Sequence, residues 1–424
     1  MSPPVRVLIG LGLGLASGFA LAHANVPPDS ILVTTADTIG GLWIAALRMT
    51  ILPLVFSLVV TGVATRVEAN SAGGCTRLSL LTFVGILLAG SAIVAIIVPT
   101  LLSLWPTSPE GTAAIRQALS TGNKLPPLPG LGAMLKGFVP INVFSAAAAD
   151  NMLPVVIFAL IFGFAVASGP GERRLGLNTF FEWIRETMLV IVGWVLVLAP
   201  VGVFMLALEL GAKTGLSAIG ALAQFVILVV AMAAVATALA VCIGAFGGNV
   251  GLLRFIRAAA PAQSIAFSTR SSVATLPAMI SACEQQLHLS RAVTSVTLPL
   301  AASMFRICGP MASLTAAIYA AHVLGIPLGT PQLVTGGLIA IIMIAAGAGV
   351  PGEITFFAVY VPIFNSMGIP IEILALIVAV FAIPDMFNTV ANVTMDMAAA
   401  ALVARLANRR VLIGTPAPEV VPGE

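Results

Sequence analysis

Asp385, Asn388, Thr389, Asn392 and Asp396 crowd together near the end of a 424-residue chain that otherwise avoids charge. On a helix, at about 100° per residue, these five side chains fall within roughly 100° of one another, while Thr394 points the other way. They form one polar stripe, so something polar must face it. Asp385 with Asn388, Thr389 and Asn392 could hold an ammonium and a carboxylate together. Carboxylate and carbonyl oxygens also suit a hard cation such as sodium, a role Asp396 could serve.

The solvent around such a stripe follows from composition. Hydrophobic residues make up 59% of the chain and charged residues 8%, with a mean hydropathy of +1.10. A soluble protein carries about 25% charged residues. This chain cannot cover its surface with charge, and several apolar runs reach the ~20 residues that a spanning helix needs. An all-α polytopic membrane protein is the expected class. A β-barrel would show short alternating segments instead. The net charge of +3 is too small to suggest a nucleic-acid partner. Cys75, Cys242, Cys283 and Cys308 lack CxxC spacing and read as core-filling thiols. The histidines, His23, His288 and His322, form no cluster. No nucleophile–base pair or metal set emerges, so an enzyme is not expected.

Full spans are expected near residues 5–24, 39–65, 78–105, 152–168, 181–208, 216–246, 291–322 and 370–407. The first could pass for a signal peptide ending at Ala22-His23-Ala24, but its apolar run is long for one and a membrane protein follows. The stretch 106–140, rich in Pro, Gly and Ser, reads as an external loop. The segments near 251–286 and 331–368 are interrupted at their middles, by Thr269-Arg270-Ser271-Ser272 and by Gly347-Ala348-Gly349-Val350-Pro351-Gly352-Glu353. Non-helical backbone at membrane depth is tolerated only in protein or along a cavity. Paired interrupted segments point to a transporter's binding site.

Loop charges set the orientation. With the N-terminus inside, one side collects Arg6, Arg66, Arg77, Arg173, Arg174, Arg254, Arg257, Arg291, Arg405, Arg409 and Arg410. The other collects Arg116, Lys124, Lys136 and Lys213. Both termini are then cytoplasmic, in an inner or plasma membrane. The interrupted segments are re-entrant helical hairpins between eight transmembrane helices. Glu209 reads as an interfacial charge and Arg48 as one that snorkels. Arg270, Arg306, Glu353, Asp385 and Asp396 fall in the membrane interior. A charge at the bilayer centre costs at least ~2.5–3.5 kcal/mol, so these five must pair or face water or a ligand.

Six segments in order carry a family likeness. They are RMTILPLVFSLVVTGVA (48–64), NMLPVVIFALIFGFA (151–165), LAPVGVFMLAL (198–208), STRSSVATLP (268–277), AGVPGE (348–353) and DMFNTVANVTMD (385–396). The chain resembles the dicarboxylate/amino acid:cation symporters, the glutamate-transporter homologues. The resemblance implies a glutamate-transporter-like elevator fold in a homotrimer. Residues 1–76 and 150–214 would form the scaffold and trimerisation part. Residues 77–149 and 215–408 would form the transport part, with a disordered tail at 409–424. The expected substrate set is Arg270, Ser271, Ser272, Val350, Gly352, Asp385, Asn388, Thr389 and Asn392, of which the resemblance assigns Ser272, Val350, Gly352, Asp385, Thr389 and Asn392. Asp385 would bind the amino group, while Ser272 and Asn392 would bind the α-carboxylate. Val350 and Gly352 would sit in the gating tip. Ser303, Arg306, Asn392 and Asp396 would be cation-binding or charge-substituting, with sodium at Asn392 and Asp396 and no other cofactor.

Departures from the pattern matter as much. The family's N-M-D-G-T stretch is replaced by Phe305-Arg306-Ile307-Cys308-Gly309, so its asparagine and aspartate are gone. Another cation-site aspartate is Phe381 here, and hydroxyl ligands before the second tip become Ile344 and Gly347. At roughly 5 Å and an effective ε of ~20, Arg306 would repel a monovalent cation by about 3 kcal/mol, or roughly a hundredfold in affinity. Asn388 stands where acidic-substrate members often carry arginine, which suggests a neutral or smaller side chain, or recognition by Arg270 or Arg306. Glu353 could pair with Arg306 or carry a proton. The expected function is cation-coupled transport of amino acids or dicarboxylates with altered stoichiometry. The alternative is a non-transporting or receptor-like homologue. An ion channel would repeat a polar stripe in several spans, and this stripe is confined to the C-terminal half.

Overall fold

The computed structural model describes residues 3–27, 30–71, 74–107, 112, 141–149, 152–214, 217–346 and 352–412. Of the described residues 89% are helical and none is in a strand, in keeping with the expected all-α class. The helices in chain order are α1 (Pro3–His23), α2 (Ile31–Ser71), α3 (Gly74–Leu104), α4 (Val143–Ala148), α5 (Met152–Ala167), α6 (Gly171–Val197), α7 (Ala199–Thr214), α8 (Ser217–Cys242), α9 (Leu252–Thr269), α10 (Ser272–Ser281), α11 (Arg291–Met304), α12 (Cys308–Leu324), α13 (Thr330–Ala346), α14 (Gly352–Ser366) and α15 (Leu374–Leu412). Among the described residues, four stretches are long and apolar enough to cross a membrane: Gly74–Leu104, Gly220–Gly247, Arg291–Leu324 and Ile371–Ala407. Most of the expected external loop, 106–140, lies outside the described residues.

The chain divides into two compact units. The first comprises Met1–Arg66, Gly90–Met232 and Gly309–Asp385. Its tightest seam runs between α1 and α7. Gly10, Gly14 and Gly18 recur every four residues, and a Cβ on any of them would collide with the backbone oxygens of Pro200, Phe204 or Leu208. Small residues at this spacing let two membrane helices approach closely. The expected span 181–208 is instead two helices, α6 and α7, bent by 53° at Leu198. Pro200 is the local reason: it has no N–H to extend the helical ladder and crowds the preceding turn. The Trp43 indole N–H donates to Val195 O at 3.1 Å across this bend. Its ring lies so close to Gly202 that no side chain would fit there. Glu209, expected at an interface, is buried and has an interaction partner.

The second unit comprises Val67–Ala89, Ala233–Cys308 and Met386–Glu424. In it α9 and α10 pack on each other as the two arms of a helical pair. Helix α9 buries Phe255, Ala258, Ala259, Ala262 and Ala266 along one stripe, the spacing of an amphipathic helix. One π-turn ends each of α8 and α10, Ile243–Gly247 and Ala282–Gln286 respectively. Arginines close their exposed carbonyls. Arg405 donates to Phe246 O at 2.7 Å and Gly247 O at 3.0 Å, and Arg254 donates to Gln286 O at 2.6 Å. The core of α15 is deeply buried, with Ala391, Val393, Met395 and Met397 through Ala401 excluded from solvent. Of the cysteines, Cys283 and Cys308 are core residues as expected, Cys75 is half-buried, and Cys242 is exposed.

Candidate functional site

The polar stripe lies on a single helix, since α15 runs unbroken through Pro384 from Leu374 to Leu412. Asp385 is half-buried and has an interaction partner. Asn388, Thr389 and Asn392 are buried, and Asp396 is fully buried. The opposite face of α15 is occupied by α9. Gln263 Nε2 donates to Thr394 Oγ1 at 2.9 Å, and the rings of Phe267 and Phe387 meet edge-on at 5.6 Å. The stripe is thus turned away from the first arm of the α9–α10 pair.

At the turn between those arms, Arg270 is the C-cap of α9 and adopts the left-handed conformation, φ 52° and ψ 33°. This region favours glycine or asparagine. Ser271 is the N-cap of α10, its Oγ accepting from the Ala274 N–H at 3.2 Å, and Ser272 is buried behind it. The tip therefore presents a cationic side chain beside a helix N-terminus, a combination suited to an anion. At the second tip, Val350 lies outside the described residues, and Gly352 and Glu353 open α14.

The expected full helix near 291–322 is in fact broken. Helix α11 ends at Met304, Phe305 turns extended (φ −108°, ψ 97°), and α12 starts at Cys308. Pro299 and Pro310 flank the break, each removing a helical donor. The Phe305 ring is held by Phe83, stacked at 4.4 Å and 8°. Helix α11 is pinned to α3 by a buried Ser79–Thr297 hydroxyl pair at 2.9 Å. The start of α12 is held by Asn392, whose Oδ1 accepts from the Cys308 N–H at 2.9 Å. Ser303 spends its hydroxyl proton on Leu300 O at 2.9 Å, leaving its oxygen lone pairs as acceptors.

Neither carboxylate oxygen of Asp396 has a hydrogen-bond partner among the described residues, although both are buried. Arg306, on the broken segment, and Cys283, on the π-turn after α10, are its electrostatic neighbours. Arg306 itself is half-buried. A bare carboxylate in the interior costs several kcal/mol unless a positive charge or a proton compensates it. The second unit thus hydrogen-bonds Asn392 to Cys308 and sets Arg306 within electrostatic reach of Asp396, without a direct hydrogen bond between the two. Sequence reasoning missed Cys308, which contributes through its backbone. It also missed the Gln263–Thr394 and Phe267–Phe387 contacts, for which the outward-pointing Thr394 was the available signal.

A family model described as the sodium:dicarboxylate symporter family matches residues 4–406. The proton/glutamate-aspartate symporter of Escherichia coli K12 is 29% identical over 409 residues, covering 94% of this chain and 92% of that protein. The proton/sodium-glutamate symport protein of Bacillus caldotenax is 27% identical over 411 residues, covering 94% and 93%. C4-dicarboxylate transport protein 1 of Pseudomonas aeruginosa UCBPP-PA14 is 28% identical over 363 residues, covering 82% and 76%.

Proposed function

The chain belongs to the sodium:dicarboxylate symporter family, and on that premise we propose that it is a secondary active transporter of amino acids or dicarboxylates in which Arg306 replaces part of a cation site. The observation that carries the second half is the bare, buried Asp396 carboxylate with Arg306 as its charged neighbour. A guanidinium stays protonated and cannot leave. It supplies the positive charge that a dissociating ion would otherwise bring, so fewer ions, or protons alone, accompany each substrate.

In this reading eight spans and two re-entrant hairpins, α9–α10 and α13–α14, build an elevator transporter that works as a homotrimer. Residues 1–76 and 150–214 are the scaffold, and 77–149 and 215–408 the moving part. Arg270, Ser271 and Ser272 meet a substrate carboxylate from one tip. Val350 and Gly352 close over it from the other. Asp385, Asn388, Thr389 and Asn392 line the wall between. Ser303 and Asp396 are what remains of the cation site, and Glu353 carries a proton. Support comes from relatives named as glutamate-aspartate and C4-dicarboxylate transporters.

The test is uptake of L-aspartate and succinate into proteoliposomes, with sodium and the pH gradient varied independently. Uptake with at most one sodium ion per substrate is expected, and a steep dependence on several sodium ions would sink the proposal. Loss of the family's cation residues at Phe305 and Ile307 favours one second reading, a homologue that binds such ligands without moving them. Ligand-induced thermal stabilisation with no uptake in any gradient is its signature.

A further inference from the structure

Asn392 carries one acceptor and two donors on a single planar amide. Its Oδ1 is committed to the Cys308 N–H, the first donor of α12. A backbone N–H can only donate, so the amide oxygen must face it and Nδ2 must face the other way. Asn392 retains 8% exposure, and Nδ2 has no partner among the described residues. Cys308 follows Arg306 by two positions, and between them the chain is not helical. The Asn392–Cys308 bond is therefore a tie between the polar stripe and the broken segment that carries Arg306.

We infer that Asn392 is a positioning residue that couples ligand occupancy on the stripe to the placement of Arg306. A carboxylate that accepts from Nδ2 polarises the amide, and a polarised amide oxygen is a stronger acceptor for the Cys308 N–H. Ligand binding thereby tightens the start of α12 and fixes the 305–307 segment beside Asp396. When the ligand leaves, the tie loosens and Arg306 gains freedom. One side chain thus links the anion that is carried to the charge that stands in for the cation. The identity of the ligand rests on the transport reading above; the tie itself does not.

Cys308 supplies its own reporter, because it is buried at 2% exposure beside the bond. In the full-length protein with Cys75 and Cys242 replaced by serine, N-ethylmaleimide labelling of Cys308 and Cys283 is followed by peptide mass spectrometry. Asn392→Ala removes the acceptor and should label Cys308 at least about tenfold faster, with Cys283 unchanged. Asn392→Asp keeps an acceptor but donates nothing. It should label Cys308 at the parent rate while losing about tenfold or more in apparent affinity for L-aspartate or succinate. Either probe should slow labelling of the parent about threefold, and this protection should vanish in Asn392→Asp. Should Asn392→Ala not assemble, Asn392→Leu removes the acceptor with the volume kept. Equal Cys308 rates in parent and Asn392→Ala, or a fast rate in Asn392→Asp, overturn the inference. Uptake of a probe without protection of Cys308 overturns it too and leaves the transport reading intact. Absence of both uptake and stabilisation defeats the transport reading, and the comparison of the two variants still decides the tie.

Discussion

In the proposed transporter, Asp385 would separate the two substrate classes in the names of the relatives. An amino acid brings an ammonium group that a carboxylate can hold; a C4 dicarboxylate brings none. A hydrogen bond to a charged group contributes about 1.5–3 kcal/mol. Asp385→Asn should therefore weaken L-aspartate binding about 10–100-fold and leave succinate nearly unchanged, as read by titrated thermal shift. Equal losses for both probes would mean that Asp385 shapes the cavity instead of reading the ligand. Arg306→Met tests the neighbouring charge. Removing a repulsion of about 3 kcal/mol should raise sodium affinity roughly a hundredfold, seen as sodium-dependent stabilisation that the parent lacks. The stripe was legible at this scale because helical periodicity and the cost of intramembrane charge both single it out. The tie between Asn392 and Cys308 was not, because its donor is a backbone N–H that no residue type announces.

Helices pack here through what they lack as much as through what they carry. Gly14 faces the backbone of α7, whereas Gly12 on the same helix has nothing within 4 Å of a Cβ added there. Gly14→Ala should cost about 1–3 kcal/mol by overpacking. Gly12→Ala should be neutral or stabilising by up to about 1 kcal/mol through helix propensity. Thermal unfolding midpoints in detergent compare the two directly, and equal shifts would rule out the seam as a close contact. Apolar runs located most helices correctly, and interruption by small and polar residues marked the turn at Arg270-Ser271. Hydropathy missed the break at 305–307 because Phe305 and Ile307 are themselves apolar, so a window average sees no interruption. It missed the bend at Leu198 for a similar reason: Pro200 signals a bend, but the residues around it stay hydrophobic.

For the molecule as a whole, the proposed arrangement of eight spans would return both ends of the chain to one face of the membrane. Fluorescent-protein fusions at either terminus should both mature in the cytoplasm, and a phosphatase fusion at either should be inactive. An odd count of crossings would reverse one of these results. The glycine seam of α1 and α7 has a consequence for biosynthesis. Its first half ends at His23 and its second begins only at Ala199. At ribosomal rates of about 5–20 residues per second, the first helix spends about 10–40 s in the bilayer before its partner emerges. Throughout that wait it displays a small-residue face that other helices in the membrane could fill. Helix α1 therefore waits for its partner until about half of the 424 residues have been made.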